Sequence, residues 1–125
     1  MPGPTTQAEI RERYENGDPL NDGAPGKVTT DSPANGAATT VPADSDTHAV
    51  TADGTNAVDL DSAAEEGRMV TVVHNGGANT PALSFADADF VGTGPANLTS
   101  AGATATLRNI DGTTSGWVVE GTGSA

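Results

Sequence analysis

The residues of this chain that could do chemistry include three closely spaced aspartate pairs. One residue separates the two carboxylates of each pair, at Asp44/Asp46, Asp59/Asp61 and Asp87/Asp89. Calcium prefers clustered oxygen ligands, and Asp87 to Gly92 has the opening spacing of an EF-hand loop. Val91 stands at the fifth position of that loop, and no glutamate follows at the twelfth. The alternative is that the carboxylates are solvated, and we predict no bound metal.

The two histidines, His48 and His74, are the other candidates for chemistry. The sequence contains no His-x-x-x-His pair and no cysteine, so one chain alone is not expected to hold zinc, although a threefold axis could gather one histidine from each subunit. No nucleophile elbow, P-loop or dinucleotide fingerprint occurs, and the spacing of the histidines and serines does not favour a catalytic triad. We therefore predict a protein that is not an enzyme and that carries no cofactor.

Two further motifs could bind or carry a sugar. Asn97-Leu98-Thr99 fits the N-glycosylation sequon, for which chance occurrence is the alternative. Trp117 could stack on a sugar ring, but a single tryptophan beside Val118 and Val119 is more typical of a core residue. We interpret Trp117 as core.

The charge of the chain restricts its partners. Seventeen acidic and five basic residues give a formal net charge of −12, and Lys27 is the single lysine. Phosphate binding needs clustered lysines and arginines, so we predict that neither nucleic acid nor a membrane is a partner. Excess aspartate with alanine, valine and threonine favours adaptation to high salt, where the Debye length falls to about 3 Å. A solvated surface or partial disorder is the alternative interpretation.

The composition indicates one domain with a small core. Hydrophobic residues make up 34% of the 125 residues and aromatic residues 3%, and there is no cysteine for a disulfide. Small cores are marginal unless a metal, a disulfide or self-association adds burial, so self-association is expected. No apolar run approaches the ~18 residues of a membrane span. The N-terminus lacks the features of a secretory signal peptide, which favours assembly inside the cell.

The N-terminal segment, residues 1–26, is predicted to be a helix and an anchoring arm. Thr6 and Glu9 have the spacing of a capping box, and a helix is predicted over residues 6–16. Ile10 and Tyr14 form a narrow apolar stripe, and Leu20 follows just beyond. A helix this short is marginal alone, so these three residues are predicted to dock on a partner or on the chain's own domain.

The rest of the chain is predicted to be mainly β. Residues 27–46 are interpreted as an extended linker with short strands near Lys27–Thr30 and Thr39–Val41, and residues 121–125 as a frayed tail. Residues 47–120 form the β module, which opens with a predicted hairpin about a type I′ turn at Asp53-Gly54. Several short strands separated by glycine-rich turns favour a small antiparallel β-sandwich or barrel-like module. Its predicted core comprises Val70, Val72, Leu83, Phe85, Leu107, Trp117 and Val119.

The β module resembles a module of head fibres, capsid decorations and tail fibres of tailed viruses. The similar motifs are Gly-x-x-Val-Thr-Val-Val with Asn-Gly-Gly after it (Gly67 to Gly77), Ala-Gly-x-x-x-Thr-Leu (Ala101 to Leu107) and Asp-Gly-Thr with Trp-x-Val (Asp111 to Val119). With the acidic composition, the chain is similar to a virion protein of a tailed virus of haloarchaea. The lengthened turn before Trp117 departs from the pattern and affects the expected strand register.

The resemblance implies a structural protein of the virion surface, assembled in the host cytoplasm. Its expected partners are further copies of itself, as a trimer, and the major capsid protein or another virion protein. The alternative function is a carbohydrate- or host-surface-binding adhesin or tail-fibre module, with its site in the loops near Asn75–Thr80 and Gly92–Asn97.

Overall fold

The computed structural model describes residues 26–124. This part of the chain contains two single-turn 3-10 helices, Asp61–Ala63 and Asp87–Asp89, and six strands: β1 (Val28–Asp31), β2 (Thr39–Thr40), β3 (Thr47–Asp59), β4 (Met69–Ser84), β5 (Thr104–Asn109) and β6 (Trp117–Gly123). The predicted mainly-β class is confirmed. The predicted helix at residues 6–16 lies outside the described residues. None of the helices within 26–124 is long and apolar enough to cross a membrane.

The first four strands wind as successive coils and pair in parallel. β1 pairs with the first half of β3 and β2 with its second half, and β3 pairs with β4 along most of its length. Thr47 lies 19 residues after its partner Val28, and Val58 lies 19 residues after its partner Thr39. The second coil therefore pairs with both strands of the first coil, β1 and β2, and the paired residues are 19 positions apart in both cases. The predicted antiparallel arrangement is wrong for these strands.

The predicted hairpin about Asp53-Gly54 is also wrong, because β3 runs through this dipeptide as a single bent strand. Gly54 has a left-handed φ of 67°, but Asp53 does not, whereas a type I′ turn requires both. The Asn56 side chain accepts a hydrogen bond from the Asp53 backbone N–H at 2.8 Å. Gly54 therefore forms a corner between the first and second halves of β3 and does not reverse the chain.

The corner is connected to the coils on either side by a ladder of polar side chains. Asn35, in the first coil, donates to Asp53 Oδ1 at 2.9 Å, and Asn79, in the third coil, donates to the same oxygen at 2.6 Å. The buried Asn56 amide also donates to the carbonyls of Ala34 and Ala37. These bonds fix the three coils in register at this corner.

β4 turns the same corner less regularly, through Gly76-Gly77-Ala78-Asn79-Thr80. A Cβ on Gly77, whose φ is 149°, would lie 1.8 Å from the Ala52 carbonyl oxygen. This position therefore has to be glycine for β3 and β4 to approach. Asn79 and Thr80 have left-handed φ values of 58° and 55°. Left-handed backbone is strained for a β-branched residue such as Thr80.

The last two strands are antiparallel and complete the sheet, whose order is β1-β3-β4-β5-β6. β5 pairs with β4, with Thr71 opposite Thr106, and β6 pairs with β5, with a register shift between Thr106 and Leu107. The predicted core residue Leu107 is buried on β5, on the same face as buried Ala105. β6 continues to Gly123, so the expected tail is ordered in the sheet as far as that residue.

The core lies inside the coils and beneath the antiparallel strands. Of the predicted core residues, five are fully buried, namely Val70, Val72, Leu83, Leu107 and Trp117. Phe85 is half-buried and packs against this core. Val119 is 37% exposed, which corrects its assignment to the core. It follows Trp117 on the edge strand, directly before the register shift, where the sheet extends past the packed interior.

The segment predicted as a linker belongs to the folded unit. Residues 27–46 carry β1 and β2, close to the two short strands predicted there. Val41 is completely buried in the core, and its N–H donates to the Asp59 carbonyl at 3.0 Å. In the described chain, the β module therefore begins at β1.

Candidate functional site

Five polar side chains form a chain of hydrogen bonds that connects the first coil to the second. The sequence of contacts is Ser45 to Thr29 at 2.7 Å, Thr29 to His48 Nδ1 at 2.8 Å, His48 Nε2 to Thr39 at 2.9 Å and Thr39 to Asp31 at 2.7 Å. β1 supplies Asp31 and Thr29, β2 supplies Thr39, and β3 supplies His48. We call these five residues the polar chain. Ser45, Thr39 and His48 are at most 1% exposed.

Counting donors fixes the direction of hydrogen bonding at the Asp31 end of the polar chain. Asp31 accepts from the Thr39 hydroxyl, so the single Thr39 proton is used and its oxygen must accept from His48 Nε2–H. In the neutral ring Nδ1 carries no proton and accepts from the Thr29 hydroxyl, while the Ser45 hydroxyl, 2.7 Å from Thr29, also lies 3.0 Å from the Thr47 carbonyl, to which it donates. When His48 is neutral, its one ring proton is therefore on Nε2.

The surroundings of His48 keep this neutral form. Burial lowers the pKa of His48 below its ordinary value of 6.5, and the negative charge of Asp31 acts in the opposite direction. Burial predominates because no carboxylate contacts the ring directly, as the Thr39 hydroxyl lies between Asp31 and the imidazole. The neutral ring can both donate and accept, which is what the two threonines require.

Serine, histidine and aspartate thus meet here, but their geometry is unlike that of a hydrolytic triad. A triad needs direct serine–histidine and histidine–aspartate contacts and a serine that substrate can reach. In this protein a threonine hydroxyl separates each pair, and Ser45 is completely buried. The polar chain therefore acts on the protein itself by joining β1, β2 and β3.

His74 lies in the third coil, on the inner face of β4, where the strand register places it beside Val50 and places Val72 beside His48. It is 1% exposed, its Nε2 donates to the Pro81 carbonyl at 3.1 Å, and its Nδ1 accepts from the Gly76 N–H at 3.0 Å. Both ring nitrogens are thus used to hold the two ends of the irregular corner. His48 and His74 lie in different coils with separate partners, so the structure does not bring them together.

The aspartate pairs are only partly brought together. Burial raises the pKa of Asp89, and the charges of Asp61 and Asp59 raise it further, so two of the pairs approach each other. Asp87 accepts from the Gly94 N–H at 3.0 Å, and Asp44 forms an ion pair with Lys27 at 2.6 Å. Within residues 26–124, no group of three or more acidic, histidine or cysteine side chains is arranged to hold a metal ion.

An open cavity of about 330 Å³ lies between the loop before β5 and the end of β6. Asn97, Thr99, Ser100 and Thr122 are among the residues that line it. Leu98 is buried between Asn97 and Thr99 and exchanges two backbone hydrogen bonds of 2.9 Å with Leu83. The glycosylation sequon is thus held in place by its middle residue, with Asn97 and Thr99 exposed.

The other predicted site residues fall into two groups. Trp117 is completely buried, so it cannot stack on a sugar, in agreement with its assignment to the core. The predicted docking residues Ile10, Tyr14 and Leu20 lie outside the described residues, and their role stays a prediction. Sequence reasoning missed the polar chain, because its members are spread over 20 residues and meet only when the coils stack.

No protein-family model matches this chain, and no curated protein matches it.

Proposed function

We propose that this protein is a structural, non-enzymatic component of a virion surface, such as a capsid decoration, head fibre or turret-type protein. Its β module self-associates, and its N-terminal arm attaches it to the particle. The observation that carries the proposal is the construction of the described chain from stacked coils, joined in the interior by the polar chain and at an exposed corner by the Asn35–Asp53–Asn79 ladder. Such a unit is well suited to keep one shape on a particle.

The coil interior favours rigidity over chemistry. The polar chain joins three strands in the interior through four side-chain contacts of 2.7–2.9 Å. Buried polar networks whose members are all satisfied rigidify a protein and specify one arrangement. This compensates for a core that contains few large apolar side chains.

The acidic exterior is consistent with a particle in concentrated salt. At a net charge of −12, neighbouring copies repel each other at low ionic strength. Salt of about 1 M shortens the Debye length to roughly 3 Å and removes most of this repulsion. We therefore propose a tailed virus of haloarchaea as the source of the particle, assembled in the host cytoplasm.

The proposed partners are further copies of the chain, as a trimer, and the major capsid protein or another virion protein. Ile10, Tyr14 and Leu20 provide the apolar contact with the particle in this proposal. Neither nucleic acid nor a membrane is a proposed partner, because the five basic residues of the chain are outnumbered by seventeen acidic ones.

The attachment is tested by adding purified protein, in high salt, to virus particles that lack it and separating bound from free protein on a density gradient. The Ile10→Ser, Tyr14→Ser double variant should remain folded and lose binding. Glu9→Gln, Glu12→Gln, which changes the same segment without touching its apolar residues, is the matched control. Full binding of the serine variant would refute the anchor, and no binding of the unsubstituted protein to any particle would refute the proposed function.

A carbohydrate- or host-surface-binding adhesin is the second candidate, and the cavity beside Asn97 favours it. The polar side chains of Asn97, Thr99, Ser100 and Thr122 line one concave surface, and such groups can orient sugar hydroxyls. A glycan array in high salt tests it. Binding that Asn97→Ala removes and that a substitution outside the cavity, Thr55→Ala, leaves intact would favour the adhesin over a pure scaffold.

A further inference from the structure

On the outer face of the sheet formed by β1, β3, β4, β5 and β6, two complete rows of paired residues contain no charged side chain. Each row, here called a rank, takes one residue from each of the five strands. The strand registers align Val28, Thr47, Thr71, Thr106 and Gly121 in one rank and Thr30, Ala49, Val73, Thr104 and Gly123 in the next. We call these ten positions the uncharged face. Their neighbours along the strands point inward, as shown by buried His48, Val72 and Ala105.

The composition of the uncharged face contrasts with that of the chain. Seventeen of 125 residues are acidic, yet the ten positions contain only threonine, valine, alanine and glycine. Asp31, next to Thr30 on β1, accepts a hydrogen bond from buried Thr39, and Arg108 and Glu120 lie at the margin of the face and pair with each other at 2.8 Å. Val28 is 62% exposed at the other margin. The face is thus a largely β-branched surface with charges only at its rim.

We propose that the uncharged face is the surface through which copies of this chain associate. This rests on the self-association in the proposed function and names the surface responsible; because the same face meets on both copies, this contact joins copies in pairs, and a trimer would need a different contact. Two copies, each with a net charge of −12, repel through every acidic surface, so the surface without charge is where they can approach. β-branched side chains on a pleated surface also pack well against an equivalent surface.

The size of the face sets the strength of the association. Five strands about 4.8 Å apart and two ranks about 6.7 Å apart cover roughly 320 Å² in plan. A standard interface buries about 800 Å² on each partner, so the contact is weak and depends on protein concentration. A particle that holds many copies close together compensates for this weakness.

The proposal predicts the sign of the salt dependence. An interface held by ion pairs weakens when salt is added, whereas uncharged faces on two acidic copies associate more strongly as repulsion is screened. Between about 0.1 M and about 1 M sodium chloride the Debye length falls from about 10 Å to about 3 Å, which covers most of the effect. Sedimentation equilibrium of the full chain over a concentration series at both salt levels measures it.

The deciding variant is Thr71→Glu, in the middle of the face. It places like charges opposite each other in the contact and should lower the association constant by about tenfold or more in high salt. Thr55→Glu is the matched control, since Thr55 is exposed on β3 but outside the face. Thr71→Val, which makes the face more apolar, should strengthen association. Circular dichroism and thermal unfolding establish that all three variants fold.

The outcomes separate this inference from the proposed function. A protein that is monomeric at both salt levels, or an oligomer that weakens with salt, overturns the inference. Equal effects of Thr71→Glu and Thr55→Glu also overturn it. In each case attachment to particles through the N-terminal arm can still be observed, so the proposed function is refuted only by its own binding experiment.

Discussion

Replacing His48 by glutamine tests the role of the polar chain through the pH dependence of folding. The folded protein keeps His48 neutral, because burial lowers its pKa below 6.5, the value expected in the unfolded chain. As the pH falls through 6.5, the unfolded chain takes up a proton that the folded chain does not. The stability contributed by neutral His48 is therefore complete above pH 6.5 and is lost as the pH falls below it.

The magnitude follows from one proton. If the folded protein stays unprotonated throughout, the free energy of unfolding falls by at most about 1.4 kcal/mol between pH 7.5 and pH 5.5. In the His48→Gln variant this part of the decline should disappear. The variant should itself be less stable at pH 7.5 by about 1–3 kcal/mol, because glutamine cannot reproduce both ring contacts with Thr29 and Thr39.

Urea unfolding at pH 7.5, 6.5 and 5.5, at constant ionic strength, measures both quantities. Any contribution of His74 is common to the two proteins and cancels in the comparison. This pH range also lies above that in which most carboxylates titrate. An equal pH dependence of the unsubstituted protein and His48→Gln would refute the reasoning, as would an unsubstituted protein that gains stability between pH 7.5 and pH 5.5.

Three further predictions concern the corner shared by the coils. Gly77→Ala should lower the free energy of unfolding by at least about 3 kcal/mol in chemical unfolding, since its Cβ would overlap the Ala52 carbonyl. Gly76→Ala should lower it by only about 1 kcal/mol, because its one cost is a left-handed φ of 82°. Thr80→Gly should relieve the left-handed strain and stabilise by up to about 1 kcal/mol, whereas Thr80→Ala should not; a lower melting temperature for the glycine variant would contradict this. Asp53→Ala should cost about 1–2 kcal/mol through loss of the side-chain ladder, and Asp53→Asn, which retains one acceptor oxygen, less than that.

Sequence reasoning identified the strands and their faces well where alternation is strict. Buried Val70 and Val72 alternate with Met69, Thr71 and Val73 along β4 as expected, because one residue in two must face the core. The same logic gave the inward face of β5. The alternation of apolar and polar residues is sufficient to predict the inward face of these strands, since each strand buries one of its two sides.

The pairing direction could not be read from the same pattern. Asp53-Gly54 is a strong hairpin signal, but a glycine with left-handed φ serves a corner as well as a turn. The signal that could have decided between them is the spacing of Asn35-Gly36 and Asp53-Gly54, 18 residues apart, close to the 19-residue period of the first two coils. Two similar dipeptides at this spacing are weak evidence of a repeat unless the pairing of the strands is already known.

The candidate sites were harder still to predict. The polar chain joins residues from 29 to 48 that share no motif, and the uncharged face depends on strand registers across five strands. Both arise from non-local pairing. The core assignment of Val119 failed for a related reason, because its burial depends on the register shift in β6.

The common 19-residue period also makes the length of this module adjustable by simple duplication. The original coil pairs with β3 on one side only, and a second copy of residues 28–46, inserted before β3, would pair with the original coil on one side and with β3 on the other. Each added coil would lengthen the protein by about 4.8 Å, the spacing of neighbouring strands, and leave both ends unchanged. The fold can therefore act as a molecular ruler, with the number of coils setting how far its two ends stand apart.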